Sequence, residues 1–262
     1  MSTYETPKAY RKALGFTNQE DFKKYCKATD IKSINLDLLE SYNGRLIDLF
    51  SKINAIINED FRMDDGAFSD FQSQMNEAYR ILKDFKIIED LFTNNGRPRE
   101  AVYFNWMRGY LVALYFRKVI ARIFSVEENE IEQLGEDNLQ TVEANGNYDL
   151  FKKEAIADLK IVSLNYHIEI QAGFTGENDI KKSKALDAQR RFGEGWKTYT
   201  LHFDLYNGKL AVIDITDLAS LQNNRWIQNA QFEGVYTVKI PSEAFKWNIG
   251  MLCPCLRRFH LL

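Results

Sequence analysis

The sequence predicts an α/β chain of the α+β kind, in which a helical N-terminal half precedes a mixed β-sheet flanked by helices. Three observations favour this class: helical spacing of apolar residues in the first half, a change to strict alternation near residue 155, and turn signals between the later segments. We expect a helical region over 1–95 and a sheet-bearing region over 96–262, packed together as one compact unit.

The composition indicates a folded chain and excludes one kind of nucleic-acid binder. Of 262 residues, 45% are hydrophobic and 13% aromatic, which is richer than disordered chains are. Basic and acidic residues number 34 and 37, for a net charge of −3. A chain so balanced does not coat polyanions through bulk charge, so any contact with DNA must use local basic patches.

The cysteines and the hydropathy pattern point to a soluble protein of a reducing cytosol. Three cysteines are too few for a disulfide framework, and no run of about 18 uncharged apolar residues predicts a membrane span. Cys253 and Cys255 lie close together, but only His260 could join them nearby. Because structural zinc sites need four ligands, we expect this pair to be inert.

The first half contains the helical signals. The stretch TNQEDFKKYC has the form of a capping box, with Thr17 as cap and Glu20 reaching back, so it predicts a helix start. Apolar residues recur at helical spacing from 36 to 92, which predicts two long amphipathic helices packed as a pair. From Pro98 to Phe124 the pattern is apolar on nearly every face, as expected of a central buried helix.

Charge is unevenly distributed around this central helix. Six basic residues and one acidic residue, Glu100, lie between 97 and 122. The arginines can either extend over the hydrophobic helix or contact phosphates, and the sequence leaves both open. The next stretch, 125–144, has seven acids and no bases, which favours a solvated connector. The candidates for DNA contact here are Arg97, Arg99 and Arg108.

The stretch AIADLKIVSLNYHIEIQAGF predicts two strands, roughly 155–163 and 166–173, joined by a tight turn at Leu164 and Asn165. Strand side chains alternate, so Asp158 shares a face with Lys160 and Glu169 shares a face with Gln171. If the strands pair as a hairpin, Asp158 and Glu169 lie close together on one surface.

Two neighbouring carboxylates beside an apolar sheet repel each other and are costly to desolvate unless a cation joins them. Mg²⁺ suits such a pair because it takes one or two carboxylates and keeps other positions for water and phosphate. We therefore expect Asp158 and Glu169 to bind Mg²⁺. The alternative is structural, with either acid facing solvent or paired with a lysine.

These two stretches, ADLKI and YHIEIQ, resemble the core of the PD-(D/E)XK nuclease superfamily, above all its type II restriction endonucleases. In that pattern Asp158 matches the first acid, Glu169 the second, and Gln171 the position that usually holds a lysine, while Ala157 replaces the nominal proline. Glutamine can orient a water molecule by hydrogen bonds but cannot supply a proton-exchanging amine. Lys160, on the face of Asp158, could supply the missing cation.

The resemblance implies a sequence-specific endonuclease of double-stranded DNA from a bacterial cytoplasm, using Mg²⁺ and leaving 5′-phosphates. Recognition of a palindrome would favour a homodimer. Two alternatives stay open: a DNA-binding or repair-associated module of the same fold that no longer cuts, and a helical interaction protein with an appended sheet. Only the DNA-related functions require salt-dependent affinity for DNA.

After the second strand, the stretch ENDIKKSKALDAQRRFGEGW predicts a helix that can face the DNA backbone. The alternative is an amphipathic helix over the sheet, with Ile180, Leu186 and Phe192 turned inward.

The stretch RWIQNAQFEG could read base edges or form an irregular strand. We expect two strands around Asn207 and Gly208, and a further strand at 235–240. His202 is expected in the core, His167 is unassigned, and the basic candidates on the helix are Lys181, Lys182, Lys184 and Arg190.

Overall fold

The computed structural model describes residues 4, 6–27, 35–88, 99–134, 139, 143, 158–176, 178–220, 226–229 and 235–252. Within these residues the chain has an α+β fold with a helical N-terminal half, as predicted. The helices are α1 Pro7–Ala13, α2 Gln19–Cys26, α3 Leu36–Ile56, α4 Asp65–Asp84, α5 Arg99–Tyr115, α6 Arg117–Phe124 and α7 Lys182–Gly193. The strands are β1 Ile131–Gln133, β2 Leu159–Ile161, β3 Tyr166–Gly173, β4 Asp179–Lys181, β5 Lys197–Asp204, β6 Lys209–Asp214, β7 Ile227–Asn229, β8 Val235–Lys239 and β9 Trp247–Asn248.

Short polar side chains determine where the first four helices begin, because each accepts a hydrogen bond from a backbone N–H of the first turn. The predicted start of α2 is confirmed, but the cap is one residue later than predicted. Asn18 accepts from the backbone N–H of Asp21 at 2.9 Å, and the Thr17 hydroxyl donates to the Asp21 carboxylate instead. The four caps are Thr6, Asn18, Asn35 and Asp64.

The long helices pack around α5, which is the central buried helix that the sequence predicts. Both α3 and α4 contact it, and they also meet each other where the rings of Phe50 and Phe71 lie 5.4 Å apart. The predicted single helix over 98–124 is instead two helices. At Phe116 the backbone leaves helical geometry, and its ring stacks 4.5 Å from that of Phe203 on the sheet.

The main sheet has six strands in the order β1-β2-β3-β5-β6-β9. Only β3 and β5 run parallel, and every other neighbouring pair in this sheet is antiparallel. A parallel pair needs a crossover, which here is the segment that carries β4 and α7. The left-handed Asn165 (φ 56°) makes the turn before β3, a conformation that asparagine tolerates better than most residues.

The two faces of the sheet differ in polarity. One face carries Ile168 of β3 with Leu201 and Phe203 of β5, and it packs into a large core shared with helices α1 to α6. The other face lies under α7 and is mixed. Alternation turns Thr200 and His202 of β5 toward it, and their neighbours on β6, Ile213 and Ala211, belong to a smaller apolar cluster that includes Ala188 of α7. His202 is fully buried, as predicted.

Two features of the strand layout were not predicted. β8 does not extend the main sheet but pairs with β4 and β7 in a separate three-stranded sheet in the order β4-β8-β7. The acidic stretch 125–144, expected to be a solvated connector, contributes the edge strand β1, in which Ile131 and Gln133 are buried. Among the described residues, no helix is both long and apolar enough to cross a membrane.

Candidate active site

Asp158 directly precedes β2, and Glu169 lies on its antiparallel neighbour β3. The β2–β3 register pairs Leu159 with Ile168, and continuing it by one residue places Asp158 opposite Glu169. The Asp158 side chain extends the pairing of the two segments, because its Oδ2 accepts a hydrogen bond of 2.6 Å from the backbone N–H of Ile170. The hairpin geometry predicted for the two acids is therefore present.

The environment of Asp158 favours its protonated form. Burial raises the pKa of Asp158 to about 7, and repulsion from the Glu169 carboxylate adds to the effect. The cations of Lys184 and Arg191 and the N–H of Ile170 oppose the shift without cancelling it. The pKa of Asp158 is thus raised even with two basic residues beside the carboxylate pair.

Glu169 is buried, with 4% of its surface exposed, and both of its oxygens are paired with bases from α7. Lys184 Nζ lies 2.6 Å from Oε2, and Arg191 Nη1 lies 3.1 Å from Oε1. Arg191 also forms an ion pair with Asp187 one turn earlier on the helix. Burial would lower the pKa of Lys184, but the carboxylates of Glu169 and Asp158 raise it above its usual value.

The contact of Lys184 with Glu169 is the main site feature that the sequence did not predict. Lys184 was expected on a DNA-facing helix surface, yet its ammonium reaches the carboxylate pair. The alternative orientation, with Leu186 and Phe192 inward, is wrong: these residues are 50% and 48% exposed, while Ile180 is buried. The sheet face beneath α7 explains this, since Lys184 and Arg191 pair there with Glu169 and Ala188 belongs to a small apolar cluster. The inward residues of α7 are Lys184, Ala185, Ala188 and Arg191.

The two other predicted catalytic residues lie near the pair but have different contacts. Gln171 shares the face of Glu169, and its amide Nε2 donates to the backbone oxygen of Asp179 at 2.6 Å. Lys160 lies 3.8 Å from Glu132 of β1 and 5.0 Å from the ring of Trp196. In the described part of the chain, the lysine that contacts Glu169 is Lys184, not Lys160.

A cavity of about 320 Å³ opens at the C-terminal end of β3 beside the carboxylate pair. Glu169 and Gln171 line it from the strand, Lys184 lines it from α7, and Arg108 lines it from α5. Its wall therefore includes acidic, amide and basic groups. Such a mixed lining is typical of sites that orient a polar substrate.

The remaining candidates for DNA contact are dispersed. Lys181 lines the cavity, whereas Lys182 lies about 6 Å from the rings of Trp226 and Tyr236 on the small sheet. Arg190 is exposed and forms ion pairs with two acids of its own helix region, Asp187 and Glu194. Arg97, like Arg225, Cys253, Cys255 and His260, lies outside the described residues, and Arg99 is the first residue of α5.

Two histidines flank the site. His202 Nε2 lies 2.6 Å from Asn178 Oδ1, and burial lowers its pKa to about 4, so the ring is neutral near pH 7. His167, which the sequence left unassigned, shares the face of Glu169 and packs edge-on against Trp196. Its pKa is also lowered to about 4, by burial first and then by Arg191 and Lys160.

Comparisons with known proteins gave no match: no protein-family model, no curated protein and no solved structure is significantly similar to this chain.

Proposed function

We propose that this chain is a Mg²⁺-dependent endonuclease of double-stranded DNA, with a site of the PD-(D/E)XK kind. One observation carries the proposal. Asp158, just before β2, lies opposite Glu169 of β3, a lysine binds the second acid, and a cavity opens beside Glu169. The lysine is Lys184 from α7, so the ammonium group that Gln171 cannot provide is contributed by a different element.

The donor set fits Mg²⁺, although it is small. Among the described residues, no group of three or more His, Cys, Asp or Glu side chains is arranged to hold a metal ion. Mg²⁺ nevertheless binds through one or two carboxylates and completes its shell with water and phosphate oxygens. Burial first, and then the Glu169 carboxylate, raise the pKa of Asp158, and a divalent cation bound by Asp158 and Glu169 would oppose both effects.

In the proposed reaction a water molecule attacks the phosphorus atom, the 3′ oxygen leaves, and the product carries a 5′-phosphate. When bound, Mg²⁺ would polarise the phosphate and lower the pKa of the attacking water. Lys184 uses one N–H on Glu169 and has two more with which to hold that water or a phosphate oxygen. The amide nitrogen of Gln171 donates to the backbone oxygen of Asp179, so its amide oxygen is the group that would accept a hydrogen bond from the same water.

DNA would lie across the cavity mouth, with Lys181, Lys182 and Arg190 near its backbone. These residues belong to the β4–α7 segment, which follows β3 directly in the chain, and α7 also carries the two bases that pair with Glu169. We further propose that two copies act on a palindromic site, because a two-fold symmetric protein matches the symmetry of such DNA.

The test is cleavage of unmethylated phage DNA by the purified protein, with Mg²⁺ and with a chelator, beside Asp158→Ala and Glu169→Ala. We expect discrete fragments that require Mg²⁺ and disappear with both variants. Sequencing of the fragment ends would then give the recognition site. Uncut DNA across several substrates and divalent metals would refute the catalytic proposal.

A second candidate is a DNA-binding module of the same fold that does not cut. It is favoured by the ion pairs of Glu169, whose two oxygens are both neutralised within the protein. This candidate predicts salt-dependent binding of DNA without fragments and without a Mg²⁺-induced change in the pKa of Asp158.

A further inference from the structure

Arg108, in the middle of α5, is a buried cation that lines the same cavity as Glu169. Only 7% of its surface is exposed. Its guanidinium carbon lies 4.1 Å from the centroid of the Phe174 ring, just after β3, so the group is held against an aromatic face. Arg108 and Lys184 thus contribute two cations to the cavity wall, one from α5 and the other from α7.

This guanidinium has free donor groups. Within the described residues, Nε and Nη1 of Arg108 are both buried and have no hydrogen-bond partner. No described carboxylate forms an ion pair with it. The titratable neighbour that influences it is Cys26, and burial raises the pKa of that thiol to about 12, so it carries no charge near pH 7.

An unpaired buried charge destabilises a fold, because the group loses its hydration without gaining a partner. Burial lowers the pKa of Arg108 to about 10, which still leaves it charged at neutral pH. Guanidinium groups bind phosphate oxygens strongly, since the planar donor array matches the geometry of the anion. A cationic group held in this state is therefore prepared for an anion that arrives from outside the chain.

We propose that Arg108 binds a non-bridging oxygen of one DNA phosphate inside the cavity, next to the Asp158–Glu169 pair. The inference rests on the proposed function and assigns a further residue to its substrate site. Arg108 and Lys184 would then hold the phosphate from two sides while the carboxylates lie beside it. This differs from a contact with the DNA backbone at the surface, since Arg108 is buried in the cavity wall.

The first test uses inorganic phosphate and calorimetric titration without Mg²⁺, so that it does not depend on cleavage. We expect the wild-type chain to bind phosphate, Arg108→Met to bind at least tenfold more weakly, and Arg80→Met to bind as the wild type does. Arg80 is a suitable control because it lies on the surface of α4 and pairs there with Glu77 and Asp84. Equal affinity in Arg108→Met, or no binding by the wild type, would overturn the inference.

Folding of the variant is checked by circular dichroism and melting temperature. Replacing an unpaired buried cation by an apolar side chain of similar length should leave the melting temperature unchanged or raise it. If Arg108→Met does not fold, Arg108→Lys replaces it, and we expect phosphate binding at least threefold weaker than in the wild type. Unchanged affinity in Arg108→Lys would then overturn the inference.

A cleavage assay separates this inference from the proposed function. If the chain cuts DNA, Arg108→Met should reduce the single-turnover rate about 100-fold, as loss of a donor to a developing oxyanion does. Cutting at the wild-type rate by Arg108→Met would overturn the inference and leave the endonuclease proposal intact. Phosphate binding that depends on Arg108, without any DNA cutting, would leave the anion site intact and refute the endonuclease.

Discussion

At the residue scale, the carboxyl group of Asp158 retains a proton under conditions in which an exposed aspartate would lose it. Burial and the neighbouring Glu169 raise its pKa to about 7 from an ordinary value of 3.8. Between these two values the folded chain binds a proton that the unfolded chain has released. The contribution of Asp158 to stability is therefore fully present below about pH 4 and is lost as the pH rises toward 7.

Asp158→Asn should remove this pH dependence, because an amide does not titrate. The wild type should lose stability between pH 5 and pH 8, whereas the variant should not. We therefore expect the free energy of unfolding of the variant, minus that of the wild type, to be roughly 1 to 3 kcal/mol larger at pH 8 than at pH 5. Urea unfolding at both pH values measures the difference. A constant difference between the two proteins would mean that the pKa of Asp158 is not raised in the fold.

The pairing of Asp158 with Glu169 could be predicted from sequence, because strand alternation and one tight turn determine which side chains share a face. The lysine that pairs with Glu169 could not be predicted in this way. Lys184 follows it by fifteen residues and belongs to a helix, so their contact depends on how α7 packs on the sheet. A signal was present in the chain: Lys184, Ala188 and Arg191 recur at helical spacing, and small residues between charges indicate a helix face that packs closely on its neighbour.

At the element scale, α7 covers the mixed face of the sheet with small side chains. Ala185 and Ala188 are fully buried there, which lets the backbone approach closely enough for Lys184 and Arg191 to reach Glu169. The exposed apolar residues of this helix lie on its outer side. The position of α7 relative to β3 therefore determines whether the lysine meets the carboxylate pair.

Ala188→Leu should push α7 away from the sheet and weaken both ion pairs of Glu169. We expect a loss of about 1 to 3 kcal/mol in stability, as overpacking of a close contact usually causes. Leu186→Ala, on the outer face of the same helix, should change stability by less than about 0.5 kcal/mol. Chemical denaturation of both variants measures this, and equal effects would show that the buried face of α7 is misassigned.

Short strands mark the limit of prediction at this scale. β1 and β4 have three residues each, too few for alternation to be recognised, and β1 lies in a run of acids. They form because a partner strand pairs with each of them over all three residues, β2 with β1 and β8 with β4. The hairpin of β5 and β6 was predicted because it combines long strands with a glycine turn.

At the scale of the whole molecule, the N-terminal helices and the sheet share one hydrophobic core. Helix α1 packs on the β5–β6 turn, where Arg11 donates to the backbone oxygen of Tyr206 at 3.1 Å. Gly208 in this turn has φ +66°, and a Cβ there would lie 2.4 Å from the Tyr10 ring. The first helix is therefore joined to the sheet that carries the candidate site.

Gly208→Ala tests this junction, with Gly195→Ala as the matched control. Both glycines have positive φ, so both substitutions strain the backbone, but a Cβ at Gly195 meets no atom within 4 Å. We expect Gly208→Ala to cost at least about 1 kcal/mol more in stability, because it also displaces Tyr10. Equal losses in urea unfolding would contradict the packing of α1 on the turn.

The most direct test of the central claim is the single-turnover rate of Mg²⁺-dependent DNA cleavage by the wild type, Lys184→Met and Lys83→Met. Lys83 provides the same substitution on α4, far in the chain from the carboxylate strands. We predict that Lys184→Met cuts at least about 100-fold more slowly while Lys83→Met cuts at the wild-type rate. Cleavage by Lys184→Met at the wild-type rate, or no cleavage by the wild type, would contradict the claim that Asp158, Glu169 and Lys184 form a catalytic site.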